Sequence, residues 1–89
     1  MHLLLFGTAG CHLCEQAEEV LSACVANEKN VLLELVDVAD AENEHWQEQY
    51  AIRIPVLYHA DSRKELAWPF DAAMVNDFIA SIIDNQPNL

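Results

Sequence analysis

The chain contains few basic residues: Lys29, Arg53, Arg63 and Lys64 stand against fifteen acidic side chains, and the formal net charge is −11. Nucleic acids and anionic membrane surfaces are bound through basic patches, so this balance argues against both as partners. The chain also lacks any apolar run near the roughly 18 residues that cross a bilayer. We therefore expect no nucleic acid and no membrane among its partners.

Repeats, low-complexity tracts and linkers rich in proline or glycine are missing as well, and the 89 residues are interpreted as one domain, 1–89. The apolar run Leu3–Phe6 has no basic residues before it and ends at Gly7, unlike a secretory leader. Read without a leader, the protein is expected to be cytoplasmic. In that reducing compartment, three cysteines favour a catalytic or metal-binding role over a structural disulfide framework.

Hydrophobic periodicity predicts an α/β protein with the order β-α-β-α-β-β-α. The predicted strands are Leu3–Phe6, Val31–Val38, Val56–His59 and Glu65–Trp68. The predicted helices run from Cys11 to about Asn27, over Asp40–Tyr50, and from a cap at Asp71 to about Ile83. A parallel first pair and an antiparallel closing hairpin give a four-stranded mixed sheet flanked by three helices, with helices on both faces.

A C-x-x-C motif, Cys11-His12-Leu13-Cys14, lies where the first strand gives way to the first helix. Unpaired backbone N–H groups and the positive end of the helix dipole stabilise a thiolate at that position. The spacing also lets the second sulfur reach the first, so a mixed disulfide can be resolved internally. By position, Cys11 is the attacking thiol and Cys14 the more shielded resolving thiol.

Neighbouring charges act in opposite directions on this pair. Protonated His12 would add positive charge beside Cys11 and favour a thiolate, whereas Glu15 and Glu18 would oppose one. The sequence does not decide which of the two effects is larger.

A zinc site and a purely structural pair are the alternatives to redox chemistry. The third cysteine, Cys24, lies ten residues after Cys14 on the same helix, roughly 15 Å along its axis, too far for one tetrahedral site. We therefore favour redox chemistry and expect no metal.

A proline at the mouth of a strand, in Arg53-Ile54-Pro55-Val56, is the second landmark. Taken alone, an X-Pro bond is usually trans. Together with the upstream C-x-x-C, however, the sequence resembles the glutaredoxin and thioredoxin superfamily over nearly its whole length, and small glutaredoxin-like proteins most closely. The resemblance implies a thioredoxin-like fold in which Pro55 is a cis-proline facing the cysteines and Ile54 offers backbone groups to the substrate.

The resemblance further implies a thiol–disulfide oxidoreductase that acts on protein disulfides or with glutathione. No organic cofactor is required, glutathione could serve as the reductant, and a monomer is expected. Arg53 is the one well-placed cation for the glycine carboxylate of glutathione. The alternative is a non-enzymatic module that holds a metal or an iron–sulfur cluster through Cys11, or that docks partners.

The sequence departs from typical glutaredoxins at three places. His-Leu stands between the cysteines where they have Pro-Tyr, no basic residue precedes the motif, and Trp68-Pro69-Phe70-Asp71 replaces their Gly-Gly turn. With a net charge of −11, we infer weak glutathione affinity or a protein partner. Trp68 and Phe70 either form an apolar shelf for a protein substrate or pack before the last helix.

Overall fold

A computed structural model of the chain describes residues 1–26, 28, 30–40, 46, 50 and 53–84. Its elements are β1 (His2–Gly7), α1 (His12–Val25), β2 (Leu32–Asp37), β3 (Val56–His59), β4 (Lys64–Ala67) and α2 (Ala72–Asp84). These bounds agree with the predicted strands and with the first and last predicted helices to within a residue or two. Neither described helix is long and apolar enough to cross a membrane.

The four strands form one sheet in the order β2-β1-β3-β4. The strand β1 pairs in parallel with β2, and the β1–β3 and β3–β4 pairs are antiparallel. The predicted mixed sheet is confirmed. Its topology places the end of β1 between β2 and β3, so the segment that follows β1 starts at the centre of the sheet.

Alternation along β1 supplies side chains to both faces of the sheet, because successive residues of a strand point in opposite directions. Leu3 and Leu5 are buried in the main core together with Leu57 of β3. The apolar stripes of both helices complete this core, with Ala17 and Leu21 from α1 and Val75, Phe78, Ile79 and Ile82 from α2. The two described helices therefore cover the same face.

The opposite face is closed by an aromatic cluster. Phe6 is fully buried there and stacks on Tyr50, with ring centroids 4.5 Å apart. Trp46 lies 4.9 Å from Phe6 and Tyr58 lies 5.7 Å from it, centroid to centroid. Burial of these rings stabilises the end of β1 that leads into the cysteine motif.

The second predicted helix, Asp40–Tyr50, lies largely outside the described residues, which include only Asp40, Trp46 and Tyr50 from that segment. Within the described part of the chain the structure has two helices rather than three. Both Trp46 and Tyr50 pack in the aromatic cluster.

Candidate redox site

The two cysteines of the motif are joined as a disulfide, with their Cα atoms 5.2 Å apart. Cys11 has an extended backbone and is the N-cap of α1, the position at which the first N–H groups of a helix lack partners. Its Sγ accepts a hydrogen bond from the backbone N–H of Cys14 at 3.1 Å, as an oxygen does in an ordinary cap. The helix start therefore stabilises negative charge on the Cys11 sulfur.

The two cysteines differ in their access to solvent. Cys11 is partly exposed, whereas Cys14 is buried with 8% of its surface exposed. Gly7, the last residue of β1, lies against Cys14: a Cβ added at this glycine would stand 3.2 Å from both Cβ and Sγ of Cys14. The absence of a side chain at Gly7 thus makes room for the inner sulfur, a requirement that sequence reasoning missed.

The strand register places Pro55 close to the disulfide. Phe6 of β1 pairs with Val56 of β3, so the next step of this antiparallel register sets Pro55 opposite Gly7. Because Gly7 touches Cys14, the proline lies at the same end of the sheet as the disulfide. The structure therefore brings together the two features that were singled out in the sequence.

The peptide bond between Ile54 and Pro55 is cis in the structure, and so is the bond between Trp68 and Pro69, which the sequence did not suggest. The carbonyl of Pro55 accepts a hydrogen bond from the N–H of Trp68 at 3.2 Å. The Ile54 N–H donates to the carbonyl of Tyr50 at 3.1 Å. While that bond lasts, only the Ile54 carbonyl could pair with a substrate backbone.

Arg53 is committed to an internal carboxylate. Its guanidinium donates to Glu65 of β4 and lies over the ring of Tyr50, with Cζ 5.3 Å from the ring centroid. The Tyr50 hydroxyl donates to the second oxygen of Glu65 at 2.9 Å. The hydrogen bond from Arg53 lowers the pKa of the Glu65 carboxyl, against the opposing effect of partial burial. The cation that was considered for a glutathione carboxylate is therefore already paired.

No local signal in the sequence points to Glu65. It lies in the predicted strand Glu65–Trp68, where a glutamate suits an exposed position. Its contact with Arg53 arises because β3 and β4 pair with Tyr58 opposite Glu65, on the face that carries the aromatic cluster.

Acidic side chains lie around the disulfide. His12 Nδ1 lies 3.5 Å from a Glu15 carboxylate oxygen, and both side chains are exposed. A groove of about 290 Å³ lies beside Cys14 and is lined in part by Glu15, Glu18 and Asp37. Any positive charge on His12 is thus shared with Glu15 rather than held for a Cys11 thiolate.

The other residues under consideration pack into the core. Phe70 is buried in the main core, and Trp68 packs against that core, with the two rings edge to face at 5.0 Å between centroids. Cys24 is a partly buried free thiol whose Sγ donates to the carbonyl of Ala72 at 3.8 Å. Burial raises the pKa of the Cys24 thiol, which makes it a poor nucleophile at neutral pH.

Within the described residues, no group of three or more histidine, cysteine, aspartate or glutamate side chains is arranged to hold a metal ion. The disulfide and the helix start can instead support attack by a thiolate on another disulfide. A mixed sheet in this order, with a C-x-x-C disulfide at the start of α1 and a cis-proline at the same end, defines a thioredoxin-fold protein of redox type.

Comparison with known proteins specifies the family. Residues 2–80 match the family described as Glutaredoxin-like domain (DUF836), and the chain belongs to this family. An X-ray structure of a Northeast Structural Genomics target protein from X. campestris is 32% identical, with a TM-score of 0.71, and the match covers 96% of this chain and 99% of that one. Thioredoxin 1 from Thermosipho africanus TCF52B is 20% identical, with a TM-score of 0.69 and coverage of 94% and 96%, and it supports the fold.

Proposed function

We propose that this protein is a thiol–disulfide oxidoreductase that reduces protein disulfides through Cys11 and Cys14. The observation that carries the proposal is the unequal exposure of two bonded cysteines at a helix start: Cys11 is partly exposed and its Sγ accepts a hydrogen bond from the N–H of Cys14, while Cys14 is buried. An accessible sulfur can be attacked or can attack, and a shielded sulfur one helical turn away can reach only its partner.

The reaction is written from the reduced protein. The Cys11 thiolate attacks one sulfur of a client disulfide, a Cys11–client bond forms, and the other client sulfur leaves as a thiolate. The Cys14 thiolate then attacks Cys11 Sγ, which forms the disulfide seen in the structure and releases the second client thiolate. The client gains two electrons and the protein loses two. An external thiol, such as glutathione or a dithiol, returns the pair to the reduced form.

In this proposal an extended client segment lies along Pro55, with the Ile54 carbonyl as its backbone partner. Arg53 does not enter this step as a free cation, because Glu65 holds it. This pairing supports a protein client over glutathione as the substrate. A monomer in the cytoplasm that requires no organic cofactor remains part of the proposal.

Trapping tests the proposal. Reduced Cys14→Ser protein, mixed with an oxidised model protein, should retain it as a mixed disulfide on Cys11, visible on a non-reducing gel and by mass spectrometry. The reason is that Cys14 supplies the only described thiol placed to resolve the intermediate.

Two controls make the result specific. Cys11→Ser should trap nothing, and Cys14→Ser combined with Cys24→Ser should trap as well as Cys14→Ser alone. Trapping that needs Cys24, or wild-type protein that forms no titratable Cys11–Cys14 disulfide in a glutathione redox buffer, would refute the proposed function.

A further inference from the structure

A groove beside the disulfide is not used by the reaction as written above. It lies at the ends of β1 and β2 and at the start of α1, and its lining includes Cys14 and the segment Thr8–Gly10 that leads into Cys11. Its position means that a client held on Cys11 would place its neighbouring residues close to this opening.

The walls of the groove are of two kinds. Leu5 and Leu35 provide an apolar floor, and Leu35 is 54% exposed although it lies on a strand. Glu15 and Glu18 stand on the α1 side, and Asp37 stands at the end of β2. Asp37 accepts a hydrogen bond from the N–H of Ala39 at 2.9 Å, and Glu15 lies 3.5 Å from His12. Glu18 is exposed and forms no ion pair within the described part of the chain.

The size of the groove limits what it can hold. Its volume of about 290 Å³ lies at the lower edge of the range typical of small-molecule sites, roughly 300–1,000 Å³. A side chain or two fits, whereas a bulky organic cofactor does not. An apolar floor under an acidic rim matches a side chain with a hydrocarbon stem and a cationic head, which is the chemistry of lysine and arginine.

We propose that this groove binds a lysine or arginine side chain of the client protein, next to the cysteine that Cys11 attacks. The stem would lie on Leu35 and the charged head would meet Glu18 and Glu15. This inference rests on the proposed function and names its substrate class: disulfides flanked by positive charge.

The other charges of the protein also favour a basic client over an acidic one. Arg53, the only described cation in the segment next to Pro55, is neutralised by Glu65, so it does not favour an acidic client segment. The chain as a whole carries −11, which steers a basic partner toward it at low salt. The groove adds a short-range selection to this long-range attraction, and a point substitution can separate the two.

The experiment uses three synthetic peptides that differ only in the residues on both sides of one cysteine: Lys-Cys-Lys, Gln-Cys-Gln and Glu-Cys-Glu. Each cysteine carries a 2-hydroxyethyl disulfide, and dithiothreitol resets the enzyme. Wild-type protein should reduce the lysine peptide with a kcat/KM about 1.5- to 5-fold above that of the glutamine peptide, because this is the factor that one exposed ion pair contributes. The glutamate peptide should be slowest, and the differences should shrink between about 10 mM and about 0.5 M salt.

Two matched pairs of variants test whether the groove residues cause the preference for the lysine peptide. Glu18→Gln should lower the preference for the lysine peptide by about 1.5- to 5-fold, to near equality with the glutamine peptide, whereas Glu28→Gln, which makes the same change in net charge at an exposed residue beyond α1, should leave it unchanged. Leu35→Ser should raise KM for the lysine peptide. Leu32→Ser, on the same strand at a residue 63% exposed and outside the groove, should not.

The outcomes separate the two proposals. If wild-type protein reduces none of the peptides above the rate of dithiothreitol alone, the proposed function fails. If it reduces all three with equal kcat/KM, or if Glu18→Gln and Glu28→Gln lower the preference equally, the oxidoreductase stands and the groove proposal is wrong.

Discussion

The hydrogen bond between Tyr50 and Glu65 joins the residues that precede Pro55 to β4, and Tyr50→Phe removes it while keeping the ring that stacks on Phe6. A hydrogen bond to a charged acceptor contributes about 1.5–3 kcal/mol to folding stability. The Glu65 side chain is 32% exposed and keeps its partner Arg53, so water can solvate the one carboxylate oxygen that loses its donor, and we take the loss as about 1 kcal/mol. For a domain of this size that lowers Tm by about 4–8 °C, measured by circular dichroism.

Tyr58→Phe is the matched control, because Tyr58 lies in the same aromatic cluster and its hydroxyl forms no hydrogen bond within the described residues. Its Tm should stay close to that of wild type. The same variant leaves Tyr50 as the only tyrosine, and ultraviolet absorbance can then follow its ionisation. Burial, with the hydrogen bond to Glu65, raises the pKa of Tyr50 to about 12.

The sign of the pH effect follows from that shift. Because the folded pKa of Tyr50 lies above the unfolded value near 10, its contribution to stability is complete below about pH 10 and is lost as pH rises toward 12. A Tyr50→Phe protein with wild-type Tm, or a Tyr50 that titrates near 10 in the folded Tyr58→Phe variant, would refute the reasoning.

Two further predictions concern His59 and Gly7. His59 is 2% exposed, its Nε2 has no hydrogen-bond partner in the described structure, and burial lowers its pKa. The stability of the protein should therefore fall as pH drops below about 6.5, where the unfolded chain gains a proton on this histidine more readily than the folded protein does. In His59→Gln the urea midpoint should fall less between pH 7.5 and pH 5 than it does in wild type. A parallel decline in both proteins would contradict it. Gly7→Ala should cost about 1–2 kcal/mol in urea unfolding because its Cβ crowds Cys14. In Gly10→Ala, where φ is +78° and nothing lies within 4 Å, any cost comes from the backbone alone and should be the same with the Cys11–Cys14 disulfide reduced or oxidised.

The sequence was sufficient to predict the sheet and the cysteine pair because both are encoded locally. Leu3–Phe6 is continuously apolar, as a central strand buried on both faces requires, and the period changes to that of a helix at Cys11. The placement of Cys11 at a helix start then follows without any knowledge of distant contacts. For the same reason different roles could be predicted for the two cysteines before their exposure was known.

The features that the sequence did not predict depend on register between distant segments. Arg53 looked like a free cation because no acidic residue lies within four positions of it in the chain, and Glu65 lies twelve residues further on. The pairing of Tyr58 with Glu65 across β3 and β4 is what places that carboxylate beside Arg53. His59 likewise looked like an ordinary strand end, and its burial depends on packing that a pattern of period two does not specify.

Together these contacts determine how the site can stabilise a thiolate. Side chains near the disulfide offer no unshared positive charge within the described structure, since His12 faces Glu15 and Arg53 is held by Glu65. What remains is the backbone: the N–H of Cys14, directed at Cys11 Sγ, and the dipole of α1 behind it. Backbone groups stabilise the sulfur without selecting a client by charge. Under the groove proposal, Glu18 and Glu15 would favour basic client segments over acidic ones, so that reactivity and client selection would rest on different atoms.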